Sequence, residues 1–458
     1  MATPQTPAAS KTGVSIIVVT ALMLFSMFFG AGNLIFPPYL GFQAGHNFVP
    51  AILGFLATAV ALPVLAIVAI ALSGNNVHDL AARGGRLFGI VFPVLAYLSI
   101  GAFYALPRTG AVSFSTAIVP VTGWDGIVPS AIFNAIFFGI TLALAFNPTE
   151  IVDKLGKFLT PALLVLLLIL VTLSVTGFRG SPGEAADKYA SNPFSAGLLQ
   201  GYLTMDSIAG LAFGIVVVSA LKFKKVPKGG KLVRATIIAG LIAGALLGAI
   251  YLGLGVIGQL IAEPSKYPDG AQMLAAAAHQ AMGGPGQLVF GGIVLLACLT
   301  TSVGLVAATS EFFNTLLPGI SYHAWAVLFS VMSFGMATMG LQTVLAIAAP
   351  VIGFIYPSAI TLIFLTLIEY SLRGKIYFNW TYKLALAVAV VWAAAMTLVT
   401  LGWGKSVVEP LISWSPMHAV DLGWLLPTVV AAVIGLLIDV AKPTPRPIAP
   451  RHKVPSLA

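Results

Sequence analysis

Unbroken apolar runs, each about as long as a bilayer is thick, recur along this chain and constrain its fold more than any other feature. A helix that crosses the hydrocarbon core needs roughly 20 mainly apolar residues. Such segments run Val14–Phe42, Val49–Ser73, Leu87–Val119, Pro129–Phe146 and Phe158–Phe178 (spans 1–5). They continue as Ala196–Leu221, Ala235–Ile261, Gly286–Phe313, His323–Thr338 and Gln342–Glu369 (spans 6–10), then Leu384–Trp403 and Leu422–Val440 (spans 11 and 12). The short ninth span and its boundary with the tenth carry the weakest signal. A membrane β-barrel needs alternation over about ten residues, so these continuous, longer runs read as helices. Composition agrees: 59% of the 458 residues are hydrophobic and 8% charged, against about 25% charged in a soluble domain. A chain this apolar is not disordered and not a soluble enzyme, and its +9 net charge does not form the surface stripe of a nucleic-acid binder. With Cys298 the only cysteine, no internal disulfide or multi-cysteine zinc site can form.

Sorting the cations by segment turns the net charge into an orientation signal. With a cytoplasmic N-terminus, 18 Lys and Arg fall in inside segments, among them Lys11, Arg83, Arg86 and the Lys222–Arg234 loop, and 4 fall outside. This is the positive-inside bias, and it puts both termini in the cytoplasm. The Lys222–Arg234 loop reads as a topology determinant in contact with lipid headgroups. The first span is preceded by the single lysine Lys11 and runs into Gly-Ala-Gly-Asn, not into a small-residue cleavage site, so it is expected to stay in place. The expected organisation is a cytoplasmic segment 1–13, spans 1–5 over 14–178, spans 6–10 over 196–370, spans 11–12 over 384–440, and a Pro-rich cytoplasmic tail over 441–458.

Inside hydrocarbon every backbone polar group must be satisfied by the protein, so interruptions in the apolar runs are informative. Span 1 breaks at Phe29-Gly30-Ala31-Gly32-Asn33, with Pro37-Pro38 a turn later. Two uses are open for it: a close-packing face of small residues, or an unwound stretch whose following half-helix points its positive end at a cavity. Span 6 carries a second interruption, Gly201-Tyr202-Leu203-Thr204-Met205-Asp206-Ser207. Each break lies in the first helix of a five-span set. Five is odd, so the second set must be inverted relative to the first. That is the pattern of inverted-repeat secondary transporters, which bind substrate and ion at the midplane between discontinuous helices.

The residues Met27–Pro38, Phe103-Tyr104-Ala105-Leu106-Pro107-Arg108-Thr109, Gly201–Asp206, Ala297–Leu305 and Glu311-Phe312-Phe313 closely resemble the bacterial branched-chain amino acid:cation symporter family (LIVCS, BrnQ-like). The resemblance runs from span 1 to span 12. It implies an all-α polytopic fold of about 12 transmembrane helices, the leucine-transporter-type 5+5 inverted repeat with discontinuous helices 1 and 6. It also implies sodium-driven import of leucine, isoleucine and valine through a bacterial inner membrane. No obligatory protein partner and no nucleic acid is expected, only the lipid bilayer.

An amino acid zwitterion must find partners for both charged ends on leaving water. The carboxylate suits the amides at Gly30, Ala31, Gly32 and Asn33. By the resemblance, sodium is coordinated by the carbonyls of Ser26, Phe29 and Cys298 and the hydroxyls of Thr301 and Ser302, the alternative being that Thr301 and Ser302 bond back to their own helix. Asn33 is a further candidate ligand for a second sodium beside the carboxylate. The resemblance also gives Tyr104 a hydroxyl contact with the substrate carboxylate, against a lipid-facing aromatic. Thr204, Met205 and Asp206 fall in the span 6 break. For Asp206 three roles are open: N-cap of the half-helix from Ser207, contact to the ammonium or ion, or proton carrier. Arg108, the one basic residue inside a span, reads as an outer gate or a structural partner, and Glu311, late in span 8, as an inner gate or surface pair. His46 and His279 fall in or near outside-facing loops and are not expected to be ligands. The six histidines do not assemble an enzyme's acid–base or metal cluster, and paired breaks in apolar spans fit a channel's polar rings poorly. The nearest rival is a proton-coupled transporter of the same fold with Asp206 as carrier.

Overall fold

The computed structural model describes residues 12–73, 77–146, 148–178, 180–227, 229–261, 263–372 and 375–443. The N-terminal segment 1–11, including Lys11, and the tail from position 444, with Pro445, Pro447 and Pro450, lie outside the described residues. So do Arg179, Lys228, Arg373, Arg446, Arg451 and Lys453 from the orientation count.

Among the described residues every regular element is helical. Nine helical stretches are long and apolar enough to cross a membrane, counting Ala31–Ser73 as one run that holds the second half of span 1 and all of span 2. Gly13–Phe28 and Leu425–Ala441 are shorter apolar helices, and Tyr322–Thr338 is the weak ninth span. Outer helices leave an apolar face uncovered. On span 4 (Ile127–Ala145), Ile132, Ile136 and Ile140 are exposed at four-residue spacing, which is one side of a helix turned toward lipid.

Both expected breaks are present. Span 1 is two helices, Thr12–Phe28 and Ala31–Ala44, with Gly30 extended at φ −127° and ψ −158°. The second half continues through Pro37 and Pro38, which have no N–H to give to the carbonyls one turn earlier. Span 6 is Pro193–Tyr202 and Asp206–Phe223. Its turn ends on Met205, a buried side chain held at φ +68°, a left-handed conformation unfavourable for any residue with a Cβ.

Spans 3 and 8 also depart from the runs expected of them. Span 3 widens at Ser99–Phe103, where Gly101 leaves helical geometry (φ −86°, ψ −117°), and Tyr104 (φ −147°, ψ −70°) restarts it as Ala105–Ser113. Span 8 is longer than expected. Its helix runs Gly270–Leu316 but bends at Gly283 (φ +70°), and Asp269 caps it by accepting from the Ala271 and Gln272 amides at 2.8 and 3.0 Å. The added arm, residues 270–282, buries Met273, Leu274, Ala277 and Ala278, and it holds His279, exposed on a helix instead of in a loop.

Spans 1, 2, 6 and 7 (Gly230–Leu260) pack as one four-helix bundle, and spans 3, 4, 8 and 9 as a second group. Span 5 lies against spans 1, 7 and 8. Span 10 (Leu341–Ser371) touches spans 2, 3 and 11, and spans 11 (Trp380–Thr400) and 12 (Leu425–Ala441) pair at the periphery. Within the bundle, and between it and the arm of span 8, backbone meets backbone. The place a Cβ would take on Gly41 is filled by the Gly255 carbonyl, that of Gly258 by the Pro38 carbonyl, and that of Gly270 by the Ile35 carbonyl. Small residues permit this approach in membrane helices.

Candidate functional site

The two breaks face each other. The Gly30 amide donates to Asn33 Oδ1 at 3.1 Å, so Asn33 closes the gap in span 1. Its amide nitrogen then crosses to span 6 and donates to Asp206 Oδ2 at 2.7 Å. Asn33 Nδ2 also contacts the Tyr251 hydroxyl of span 7, which donates to the same Asp206 oxygen at 3.0 Å. All three side chains are buried, and a carboxylate in such surroundings needs these donors. The N-cap role for Asp206 is corrected here. The half-helix begins at Asp206 with Met205 as N-cap and no side-chain cap bond. The carboxylate links spans 1, 6 and 7 instead.

Span 3 supplies the opposite charge. Arg108 is 4% exposed. Its Nη1 donates to Leu203 O at 2.7 Å and Tyr104 Oη at 2.8 Å, and its Nη2 to Thr204 O at 3.1 Å. These carbonyls are free because span 6 is unwound there. The guanidinium lies 4.4 Å from the Tyr104 ring centroid and 5.5 Å from that of Phe36, within cation–π range. It also fills the place of a Cβ on Gly32, so any larger residue there would push the guanidinium aside. Arg108 thus lies at the breaks themselves, bonded to the unwound turn of span 6. Tyr104 is buried, not lipid-facing, but its one hydroxyl hydrogen goes to Leu203 O at 2.7 Å. In this arrangement it has no hydrogen left to give a substrate carboxylate. Thr204 Oγ1 bonds Gly201 O at 2.9 Å within the turn.

Asn33, Arg108, Thr204, Asp206 and Thr301 share a cavity of about 30 Å³ with the apolar Met27, Phe28, Ile100, Met205, Phe213 and Leu305. That is space on the order of one or two waters, so an aliphatic amino acid must part the lining. A lining that joins polar and charged groups to aromatic and aliphatic ones matches a molecule with a charged head and a branched apolar tail.

Thr301 and Ser302 separate. The Thr301 hydroxyl is buried with no hydrogen-bond partner and packs on Gly30, whose Cβ, if it had one, would lie 3.1 Å from Oγ1. Ser302 bonds back to Leu299 O at 2.8 Å and pairs with Thr141 of span 4 at 2.8 Å. The back-bonding reading therefore describes Ser302 and not Thr301. Cys298 is buried on the same helix. Ser26 Oγ donates to Met23 O at 3.0 Å, one turn earlier in its own helix. Glu311 is exposed and makes no ion pair among the described residues.

Tyr251 and the ion pair Arg83–Glu369 were not singled out in the sequence. A tyrosine in mid-span is the signal that could have found the first, because its hydroxyl needs a partner in an apolar medium. Arg83 binds Glu369 with both Nη atoms, one bond at 2.9 Å, and also donates to Phe378 O at 2.6 Å. It ties the segment before span 3 to the end of span 10 and the start of span 11.

The family model described as "Branched-chain amino acid transport protein" matches residues 14–442. The chain is 56% identical over 438 residues to the branched-chain amino acid permease BrnQ of Corynebacterium glutamicum, covering 96% of this chain and 98% of that one. It is 38% identical over 424 residues to the branched-chain amino acid permease BraB of Bacillus subtilis, covering 92% and 95%. Among solved structures it is similar to the closed form of Mhp1, a nucleobase-cation-symport-1 family transporter with bromovinylhydantoin bound, at TM-score 0.60 and 16% identity over 94% of each chain. The manganese transporter of Eremococcus coleocola follows at TM-score 0.54 and 12% identity, covering 96% and 97%. These likenesses establish the leucine-transporter-type fold. With spans that cross a bilayer and relatives named as permeases, the chain is a multi-pass membrane transporter, not an enzyme, and it belongs to the branched-chain amino acid transport protein family.

Proposed function

We propose that this transporter carries leucine, isoleucine and valine inward with sodium, by alternating access, across a bacterial cytoplasmic membrane with both termini inside. The substrate class is supported by the names of the relatives and by a cavity that joins charged groups to an aliphatic and aromatic wall. The orientation is supported by the charge bias, 18 cations inside against 4 outside. The observation that carries the reading is Asp206: a buried carboxylate at the facing helix breaks, held by Asn33 and Tyr251, is suited to receive an ammonium group. Sodium coupling is supported by the orphan Thr301 hydroxyl against the broken end of span 1. Sodium is a hard cation that takes oxygen ligands, and the carbonyls of Ser26, Phe29 and Cys298 would complete its shell.

A buried acid at this depth equally suits a proton carrier, so the rival is proton coupling through Asp206. Uptake of labelled leucine into proteoliposomes separates the two. An inward sodium gradient at equal pH on both sides should drive accumulation, with isoleucine and valine competing. Accumulation that needs an inward proton gradient and persists without sodium would overturn the sodium reading.

A further inference from the structure

Arg108 is a buried cation with no carboxylate at hydrogen-bond distance among the described residues. A guanidinium has five N–H donors, and three bonds are made, to Tyr104, Leu203 and Thr204. Nε is buried without a partner, and one Nη2 hydrogen also has none among the described residues. Nε–H and the adjoining Nη2 form one edge of the guanidinium, and such an edge can bind a carboxylate in bidentate fashion. The guanidinium lines the cavity and sits against Gly32, in the first turn of the half-helix Ala31–Ala44. By helix geometry the first amides of that half-helix have no carbonyl one turn earlier, and its end is positive. Two sources of positive potential therefore converge on one side of the cavity. Asp206 lines the same cavity and accepts from Asn33 and Tyr251 on Oδ2.

We propose that Arg108 is the receptor for the substrate's α-carboxylate, through its Nε–H and Nη2–H edge, with Asp206 in the same cavity taking the ammonium. This rests on the reading of the cargo as an amino acid and assigns each of its charged ends. The bonds from Nη1 and Nη2 to Leu203 and Thr204 position the fork. A buried arginine is costly unless paired, and an arriving carboxylate supplies the missing partner. Recognition of this kind makes the carboxylate a requirement for binding, because an analogue without it leaves the cation unpaired.

The test is isothermal titration of the purified full chain, in sodium buffer, with leucine, leucinol and 3-methylbutylamine. The analogues keep the branched tail and the amine and lack the carboxylate. Wild type should bind both analogues roughly 10- to 100-fold more weakly than leucine, the scale of a hydrogen-bonded charge contact. Arg108→Gln should lose leucine affinity by a similar factor while its amine affinity stays near wild type, so that the preference collapses. A structural staple between spans 3 and 6 would lower all three affinities together and keep the preference, which would overturn the proposal. Leucinol binding to wild type as tightly as leucine would overturn it without any variant, so the test does not depend on Arg108→Gln folding. Wild type that binds the amines but not leucine, or none of the three, would instead remove the amino acid reading on which the proposal stands.

Discussion

Asn33 and Asp206 lie 173 residues apart in the chain and share a 2.7 Å hydrogen bond across the two helix breaks. The bond joins the first helices of the two five-span sets, and Tyr251 closes it into a three-membered network. Asp206→Asn keeps the size of the side chain and removes its charge. The expected outcome is a folded protein whose leucine dissociation constant rises roughly 10- to 100-fold, since a hydrogen bond to a charged group contributes about 1.5–3 kcal/mol. Titration with leucine at saturating sodium checks it; an unchanged constant removes Asp206 from the ammonium site.

Tyr251→Phe removes one donor from a buried carboxylate without opening a cavity. It should cost about 1–3 kcal/mol, seen as a lower melting temperature in detergent and a several-fold higher KM for leucine uptake. Because the three groups act as a unit, combining Tyr251→Phe with Asp206→Asn should cost less than the two singly. Strict additivity would count against the network.

Gly32→Ala places a methyl group where the Arg108 guanidinium lies. Leucine uptake should fall below a tenth of wild type while Gly139→Ala, which meets nothing within 4 Å, leaves it unchanged. Equal uptake in the two variants would show that Arg108 can shift at no cost.

Thr301→Ala and Ser302→Ala should differ. Only Thr301 presents an unpartnered hydroxyl to the span 1 break, so its loss should raise the sodium concentration for half-maximal uptake by about tenfold, the order of one ligand contact. Ser302→Ala removes bonds to Leu299 and Thr141 and should lower the melting temperature with sodium activation unchanged. The reverse pattern would move the ion to the span 4 side of span 8.

Glu369→Gln leaves the Arg83 guanidinium without its counter-charge between the rings of Tyr377 and Tyr382, 4.6 and 4.2 Å away. Breaking a fully buried pair costs about 3–5 kcal/mol; with the side chains 18% and 10% exposed the loss should be somewhat smaller. A thermal unfolding scan of wild type and variant measures it, and coincident curves would make the pair dispensable.

The breaks in spans 1 and 6 were legible in the sequence because polar residues and glycines interrupt otherwise continuous oil. What each side chain faces was not. Apolar residues all around a helix give no preferred side, so nothing in the sequence turned Asp206 toward Asn33 or Ser302 toward Thr141. The span 3 irregularity depends on Gly101, one of 47 glycines, and carries no neighbouring polar run to mark it. The arm over residues 270–282 mixes alanine with Gln272, His279 and Gln280, too polar for a span and too short to stand alone. Its burial against span 1 comes from tertiary packing. Arg108 was visible as a lone cation, but its distance from the break is a property of the fold.

The glycine-to-carbonyl contacts at Gly41, Gly258 and Gly270 bear on how such a machine can move. Interlocked side chains can slip by changing rotamer, whereas two main chains in direct contact have no rotamer to change. The second half of span 1, span 7 and the arm over residues 270–282 are thereby fastened into a single lever. If the proposed alternating access swings this lever, the bend should fall where it ends, at Gly30 and at Gly283, where the helical geometry is already broken.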